Sequence, residues 1–338
     1  MNYLYPRIVG KINDDHSLYI DVKNIQGKNQ AVLIDCGNNS TLAVKDFIKI
    51  STVLISHAHI DHLIGFDNLI RMNLREEKRI RIIGPAPLST LLHHRLRGYT
   101  WNLVSGSKFE LEIWDIFPRI IKKFLLRCCE KFAKKHFLEK ISSHNPLFSN
   151  KWYECSYIIL EHGIPSIGYS LKEHDQMKVD KNQLSALMLP EGKWIQKLKT
   201  GDFSSGESII IDGTTWNFKN LHEHLITIFP GFKVCYITDT ICNKRLHKQI
   251  VRFIQGAHQF YCESSFLNKD AALAEKYYHL TAEQVGHLAK DAHVERLYLI
   301  HFSQRYTSPD VLLAEAKKVF SNTSFPHFPR HSRITRKV

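Results

Sequence analysis

Three histidines and one aspartate fall within six residues in the run Ser56-His57-Ala58-His59-Ile60-Asp61-His62. His57 and His59, two apart, point the same way if the chain leaves a strand extended. A tight turn into a helix then brings Asp61 and His62 round beside them. Such a set offers nitrogen and oxygen donors to two adjacent divalent ions, a mixture that suits zinc. Two ions about 3.5–4 Å apart can share a hydroxide nucleophile and polarise a phosphoryl oxygen. One loop supplies too few ligands for two ions, and the remainder can come from strand ends. His162 follows the apolar run 157–160, Asp239 follows 233–237, and His301 follows 297–300. Taken singly each is an ordinary surface polar residue; taken with the cluster they complete a dinuclear site.

The elements that position these residues are legible as short apolar runs. Ser17 to Val22 and Ala31 to Ile34 read as strands flanking Asn24 to Gln30, a Gly/Asn-rich hairpin signal. Val53 to Ile55 is a wholly apolar strand that runs into the histidine cluster, as in a buried sheet. Further strands are predicted at 80–83, 157–160, 208–211, 233–237 and 297–300. A helix is predicted from Thr281 to Ala292, opened by Thr281 with Gln284 three residues on, a capping-box spacing. Between Arg119 and Ile141 the residues Ile121, Leu125, Cys128 and Phe132 recur at a helical period. That periodicity predicts an inserted basic helical segment within about 112–150. Strands and helices interleave without a polar linker, so the expected organisation is one α/β domain over 1–338 with insertions.

Charge and cysteine usage narrow the partners. Lys and Arg number 46 against 33 Asp and Glu, a net charge of +13 that attracts polyanions. A hydrophobic fraction of 43% excludes collagen-like and disordered classes. The seven cysteines are scattered, without a C-x-x-C pair, as expected in a reducing compartment. The N-terminus does not read as a signal peptide and no apolar stretch is long enough to cross a bilayer. The expectation is a cytoplasmic protein with no stable membrane association. Lys122, Lys123, Arg127, Lys131, Lys134 and Lys135, spaced along a helix, could follow a phosphate backbone. The same pattern fits a solvated face over an apolar stripe, or a helix lying on anionic lipid. The segment 325–338 reads as a basic tail that could contact RNA loosely.

With these motifs the chain resembles the metallo-β-lactamase fold and, more narrowly, ribonuclease Z, the endonuclease that trims 3′ extensions from precursor tRNA. The resemblance runs from about Leu33 to Tyr306. Its marks are Ile34-Asp35-Cys36-Gly37, the histidine run, His162 with Ile164 to Tyr169, and Thr238-Asp239-Thr240. Glu263-Ser264-Ser265-Phe266, His279-Leu280-Thr281-Ala282 and His301-Phe302-Ser303-Gln304-Arg305-Tyr306 complete them. The resemblance implies an αββα four-layer sandwich holding two zinc ions per chain. His57, His59 and His162 would hold one ion, Asp61, His62 and His301 the other, and Asp239 would bridge. Asp61 would be a general base. His279, near Glu263, would stabilise the transition state or protonate the departing 3′ oxygen. The implied partner is a tRNA precursor or other RNA, touched also by Arg305, and the implied assembly is a homodimer.

The chain departs from the family pattern in its substrate-facing loops. Gly10 to Asp15 stands where a Gly-Thr-rich loop is usual, Gly65 to Ile70 replaces a Gly-Leu-Pro-Gly-Leu-Leu run, and Cys262 stands where a histidine is usual. The stretch 173–202 lies where a tRNA-clamping arm often projects and reads as a shortened version of it. Two other readings therefore stand beside RNA 3′ processing. One is a metallo-hydrolase of a small phosphodiester, lactone or thioester; the other is a non-catalytic RNA-binding protein with a vestigial site.

Overall fold

The structure, a computed structural model, describes residues 3–23, 30–201, 203–204 and 206–328. The first sheet takes its strands in chain order: β1 (Leu4–Val9), β2 (Ser17–Val22), β3 (Gln30–Ile34), β4 (Ile50–Leu54), β5 (Arg79–Pro85), β6 (Glu110–Ile116), β7 (Ile120–Arg127) and β8 (His136–Ser142). β3 to β6 run parallel, with antiparallel strands on either side. The predicted hairpin residues Asn24 to Asn29 lie outside the described residues, while β2 and β3 pair antiparallel as that turn requires. The second sheet begins with β9 (Phe148–Ser149), β10 (Tyr153–Glu161) and β11 (Pro165–Glu173).

Residues Glu173–Gly231 then form a separate compact unit. It contains β12 (Gln176–Val179), β13 (Ser208–Ile211), β14 (Thr214–Asn217) and β15 (Ile226–Phe229), paired β12 with β15 and β13 with β14. Its own small core gathers Leu184, Leu198, Phe218, Leu221 and Leu225. The expected arm-like segment 173–202 is thus only the first half of a longer unit. Its end was invisible because the apolar residues that close the unit come from 208–226. The other compact unit is Met1–Lys172 with Phe232–Val338, so that Glu173–Gly231 is inserted between its two stretches. The chain then completes the second sheet with β16 (Lys233–Ile237), β17 (Gln259–Glu263), β18 (Leu297–Ile300) and β19 (Thr323–Ser324), all parallel.

Strand alternation builds the layers. Along β3, Ala31 and Leu33 face one cluster, and Val32 and Ile34 face another. The first cluster includes Phe47, Leu69, Ile70, Leu88 and Leu92 from the helices Val44–Lys49, Phe66–Asn73 and Leu88–Arg97. The second is shared between the two sheets, where Leu18, Ile20 and Ile34 meet Tyr169, Val234 and Tyr236. On β16 the next residues, Cys235 and Ile237, face a third cluster. The helices Lys244–Ile254, Ala282–Asp291 and Asp310–Val319 cover that face. Helices, sheet, sheet, helices is the αββα order, each layer following from a two-residue period on strands buried on both faces.

The basic segment is a correction. Arg119 to Ile141 is not a helix: β7 pairs antiparallel with β6 and with β8. Ile121 and Leu125 are four apart, an even spacing that puts both on one face of a strand as well as of a helix. A register shift at Lys123/Phe124 breaks the alternation, so that Leu125 and Leu126 are both buried and the run imitates a helical period. Cys128 and Phe132 belong to the turn that follows β7. β6, which has the partner residues Leu111 and Ile113, decides for the strand.

Of the predicted tail, Phe325 and Phe328 pack against the third and second clusters, and 329–338 lie outside the described residues. Among the described residues, no helix is long and apolar enough to cross a membrane.

Candidate metal centre

The chemistry-bearing residues gather at one rim of the two sheets because each follows a strand. Asp35 follows β3, Ser56 to His62 follow β4, His162 follows β10, Asp239 follows β16, and His301 follows β18. Glu263 is the last residue of β17. Asp35, Asp239 and His301 all adopt left-handed backbone, with φ of 57°, 48° and 53°. For residues with a Cβ that conformation is costly and survives where the surroundings over-determine it, as at a functional site. Here it turns the chain sharply at the strand end and returns the side chain to the rim. The 3-10 turn Ile60–His62 does the same for Asp61 and His62.

Two donor sets form around one carboxylate. His57, His59, His162 and Asp239 place one ligand atom each within 4.8 Å of the others, and so do Asp61, His62, Asp239 and His301. In the first, His57 Nε2 lies 2.9 Å from His59 Nδ1 and 3.3 Å from Asp239 Oδ2. In the second, His62 Nε2 lies 3.0 Å from both Asp61 Oδ2 and Asp239 Oδ2, and His301 Nε2 lies 3.4 Å from Asp61 Oδ2. Donors about 2.0 Å from a tetrahedral zinc ion stand roughly 3.3 Å apart, so these spacings fit a cation between them.

The opposite ring nitrogens are held from outside. His57 Nδ1 is 3.1 Å from Ser56 Oγ, His62 Nδ1 is 2.8 Å from Asp35 Oδ2, and His162 Nδ1 is 2.9 Å from the Tyr278 carbonyl. Such partners fix the tautomer and leave each Nε2 aimed inward as a ligand. Asp35 also accepts from Ser56 N and Oγ and from the Tyr236 hydroxyl. The sequence presents it only as part of the Ile34-Asp35-Cys36-Gly37 motif. The signal that could have found its role is a buried polar residue directly after a strand and beside a histidine cluster.

Electrostatics favour a cation. Burial holds His57 neutral, lowering it to about 2, and burial likewise lowers His59. Burial opposes charge on His62 and His301 too, but Asp35 and Asp239 hold His62 well above the ordinary imidazole value, and Asp239 with Asp61 holds His301 at about 9. Burial also disfavours the Asp61 and Asp239 carboxylates, yet the surrounding imidazoles hold both below the ordinary carboxylate value. These carboxylates demand compensating positive charge, which a divalent ion supplies while releasing the imidazole protons.

Beside Asp239 sits a third overlapping set. His279 Nδ1 is 2.8 Å from Glu263 Oε2 and 3.7 Å from Asp239 Oδ1. Glu263 is fully buried and also accepts from Thr240 N and Ser265 Oγ. Burial opposes charge on His279, but Glu263 outweighs it and raises the imidazole. The predicted cap holds: Thr281 Oγ1 accepts from Gln284 N and the Gln284 side chain accepts from Thr281 N, setting the start of the helix just beyond His279.

All nine residues predicted for metal and catalysis are brought together; the predicted basic row is not among them. Lys122, Lys123 and Arg127 are on β7, and Lys131, Lys134 and Lys135 on the turn before β8. Several have local counter-charges or partners. Lys123 pairs with Glu139, Arg127 with Glu110 and Glu130, and Lys135 donates to Thr90. Lys122 lies over Phe117. Arg305, four residues past His301, is exposed on the loop after β18.

The loops behind the cluster leave no spare room. A Cβ on Gly65 would lie 2.1 Å from the Gly37 carbonyl and 2.5 Å from Asn39 Nδ2. Gly65→Ala is therefore expected to destabilise the fold by about 3 kcal/mol, read as a lower urea midpoint. An unchanged midpoint would mean that these loops can part without cost.

Residues 22–121 match the family model described as Anti-Pycsar protein Apyc1. Over nearly its whole length the chain is similar to Ribonuclease Z of Deinococcus radiodurans, 28% identical over 323 residues, covering 94% of this chain and 96% of that one. Ribonuclease Z of Enterococcus faecalis is 29% identical over 315 residues, covering 90% and 87%. Among solved structures, the metallo-β-lactamase fold protein YhfI from Bacillus subtilis superposes with a TM-score of 0.54 at 13% identity, covering 96% of this chain and 95% of that one. The chain is thus similar over nearly its whole length to proteins named Ribonuclease Z, and in layer order, as in its structural neighbour, it has the metallo-β-lactamase fold.

Proposed function

We propose that the protein is a dinuclear zinc phosphodiesterase of the ribonuclease Z type, cutting 3′ extensions from precursor tRNA as a cytoplasmic homodimer. The observation that carries the reading is the convergence of two donor sets on Asp239, with the His279–Glu263 pair against the same carboxylate. Relatives named Ribonuclease Z over nearly the full chain support the substrate. His57, His59 and His162 would hold one zinc, Asp61, His62 and His301 the other, with Asp239 between. When bound, such a pair supplies an activated water at neutral pH and positive charge for phosphoryl oxygens. The Asp61 carboxylate, partly exposed at the rim, would orient that water and accept its proton. His279, held by Glu263, would deliver a proton to the departing 3′ oxygen. Lys122, Lys123, Arg127, Lys131, Lys134, Lys135 and Arg305 would meet the RNA backbone.

A second reading keeps the chemistry and changes the substrate to a small phosphodiester. One observation favours it: much of the basic row is occupied by local partners, which leaves less free charge for a long phosphate backbone. The deciding experiment counts zinc per chain and offers a 3′-extended precursor tRNA beside a chromogenic phosphodiester over a range of salt. Two zincs with cleavage at the tRNA 3′ boundary, weakened steeply by salt, is the expected result. Fast turnover of the small ester with none of the tRNA would replace the first reading by the second. Tight RNA binding with no turnover of either would end both.

A further inference from the structure

Outside the metal centre one cysteine stands in line with a histidine and a carboxylate. Cys242 Sγ lies 3.8 Å from His247 Nδ1, and His247 Nε2 lies 2.8 Å from Asp291 Oδ2. The carboxylate accepts from the Nε2–H, which leaves the Nδ1 lone pair facing the thiol. Cys242 precedes the N-cap Asn243, His247 is the fourth residue of the helix Lys244–Ile254, and Asp291 ends the helix Ala282–Asp291. A nucleophile, a base and a group that orients the base form the arrangement that activates a weak nucleophile. Burial pushes the Cys242 thiol up to about 11, so the sulfur is protonated at rest and becomes nucleophilic by passing its proton to an acceptor. His247 is placed to be that acceptor. Of the other six cysteines five are buried, and Cys129 is exposed.

Two clefts share Cys242 in their lining. One, of about 350 Å³, is also lined by His279 and Glu275. The other, of about 380 Å³, is lined by His247, His287, Lys244 and Lys248. Lys244 and Lys248 are exposed and one helical turn apart, and among the described residues neither has an ion-pair partner. We propose that Cys242 is a modification site that forms a mixed disulfide with a small disulfide bearing carboxylates. The sulfur attacks one sulfur of that disulfide as its proton passes to His247. The new S–S bond forms as the old one breaks, and the departing thiolate takes the proton from His247. Cys242 is oxidised and one half of the small disulfide leaves reduced, as a thiol. Lys244 and Lys248 receive the carboxylates. A tripeptide-sized group fastened where the clefts meet extends into both. On the phosphodiesterase reading, on which this consequence rests, it obstructs the approach to His279 and halts cleavage until a reductant removes it.

The test exposes the full chain at low ionic strength to oxidised glutathione, which is anionic, or to cystamine, which is cationic, and follows each cysteine by peptide mass spectrometry. Cys242 is expected to react with oxidised glutathione at least about fivefold faster than Cys129, the reverse of the order that exposure alone gives. His247→Ala should slow Cys242 about tenfold and leave Cys129 unchanged, which also reports an intact fold. Asp291→Ala should slow it less, and Asp291→Asn, which keeps an acceptor oxygen, should restore most of the rate. Replacing both lysines, Lys244→Gln with Lys248→Gln, should remove the preference for the anionic disulfide. Cys129 reacting first, or a Cys242 rate indifferent to His247, would overturn the site. A preference unmoved by the lysine pair would overturn the carboxylate-bearing partner. Hydrolysis of precursor tRNA undiminished by the adduct would overturn the obstruction, whereas inhibition that is reversed by dithiothreitol and absent in Cys242→Ser supports it. The labelling is read by mass, so a chain that hydrolyses no phosphodiester would discard the phosphodiesterase reading and leave the modification site standing.

Discussion

Asp239→Ala is expected to lose both zinc ions and, with them, phosphodiester cleavage by roughly a thousandfold or more. The reason is that Asp239 is shared. Its carboxylate lies 3.0 Å from His62, 3.3 Å from His57 and 3.3 Å from His301, and it belongs to both four-residue donor sets. His59 belongs only to the first set, so His59→Ala should leave a chain with one ion. Metal counting by atomic emission after dialysis distinguishes the two patterns. Asp239→Ala also removes an anion from between buried His62 and partly buried His301, both of which the site's carboxylates favour in the charged form. Losing one partner of a buried pair typically costs about 3–5 kcal/mol, so the metal-free variant should also unfold at lower urea. Two ions retained by Asp239→Ala would remove Asp239 from the bridging position.

His279→Ala is expected to leave the zinc content intact and to lower kcat on RNA by about 100- to 10,000-fold, the range of a lost general acid. Its geometry separates it from the two main donor sets. Nδ1 is engaged by Glu263 at 2.8 Å, and Glu263 is held in turn by Thr240 N and Ser265 Oγ. The imidazole is thus aimed by a buried carboxylate, which also favours its charged, proton-bearing form. A substrate whose leaving group is a nitrophenolate departs without a proton, so the loss on that ester should be much smaller than on RNA. Glu263→Gln should move the same ratio in the same direction but less, because it weakens the aim rather than removing the acid. Loss of zinc from His279→Ala would make it a ligand of the third donor set; equal losses on both esters would exclude proton delivery.

The two expectations share a physical origin in the strand ends. β4, β10, β16, β17 and β18 each finish at one rim, and the residue that ends or closely follows each is polar. β4, β10, β16 and β18 were legible as apolar runs, and four predicted runs agree closely with β2, β13, β16 and β18, whereas β17, opened by Gln259 and closed by Glu263, was not predicted. The cap at Thr281 was legible for the same kind of reason, since a capping box is a contact between residues three apart. The segment after Arg119 was not. A four-residue spacing is common to helix and strand, and only the partner strands β6 and β8 resolve it.

What the amino-acid sequence by itself determined is the donor chemistry: which residues could bind a metal, and that they sit at the ends of apolar runs. These are local facts of composition and short-range period. Tertiary structure decided what no local pattern contains. It made Asp239 common to two sets from residues far apart in the chain, set Asp35 behind His62, and closed Glu173–Gly231 into a unit of its own. It also paired the basic row with acids on neighbouring strands, so that charges which read as a surface for polyanions are in part neutralised at home. The difference is one of range: a donor's identity is written at a single position, but whether two donors share an ion depends on sheet register between segments the chain separates by nearly two hundred residues.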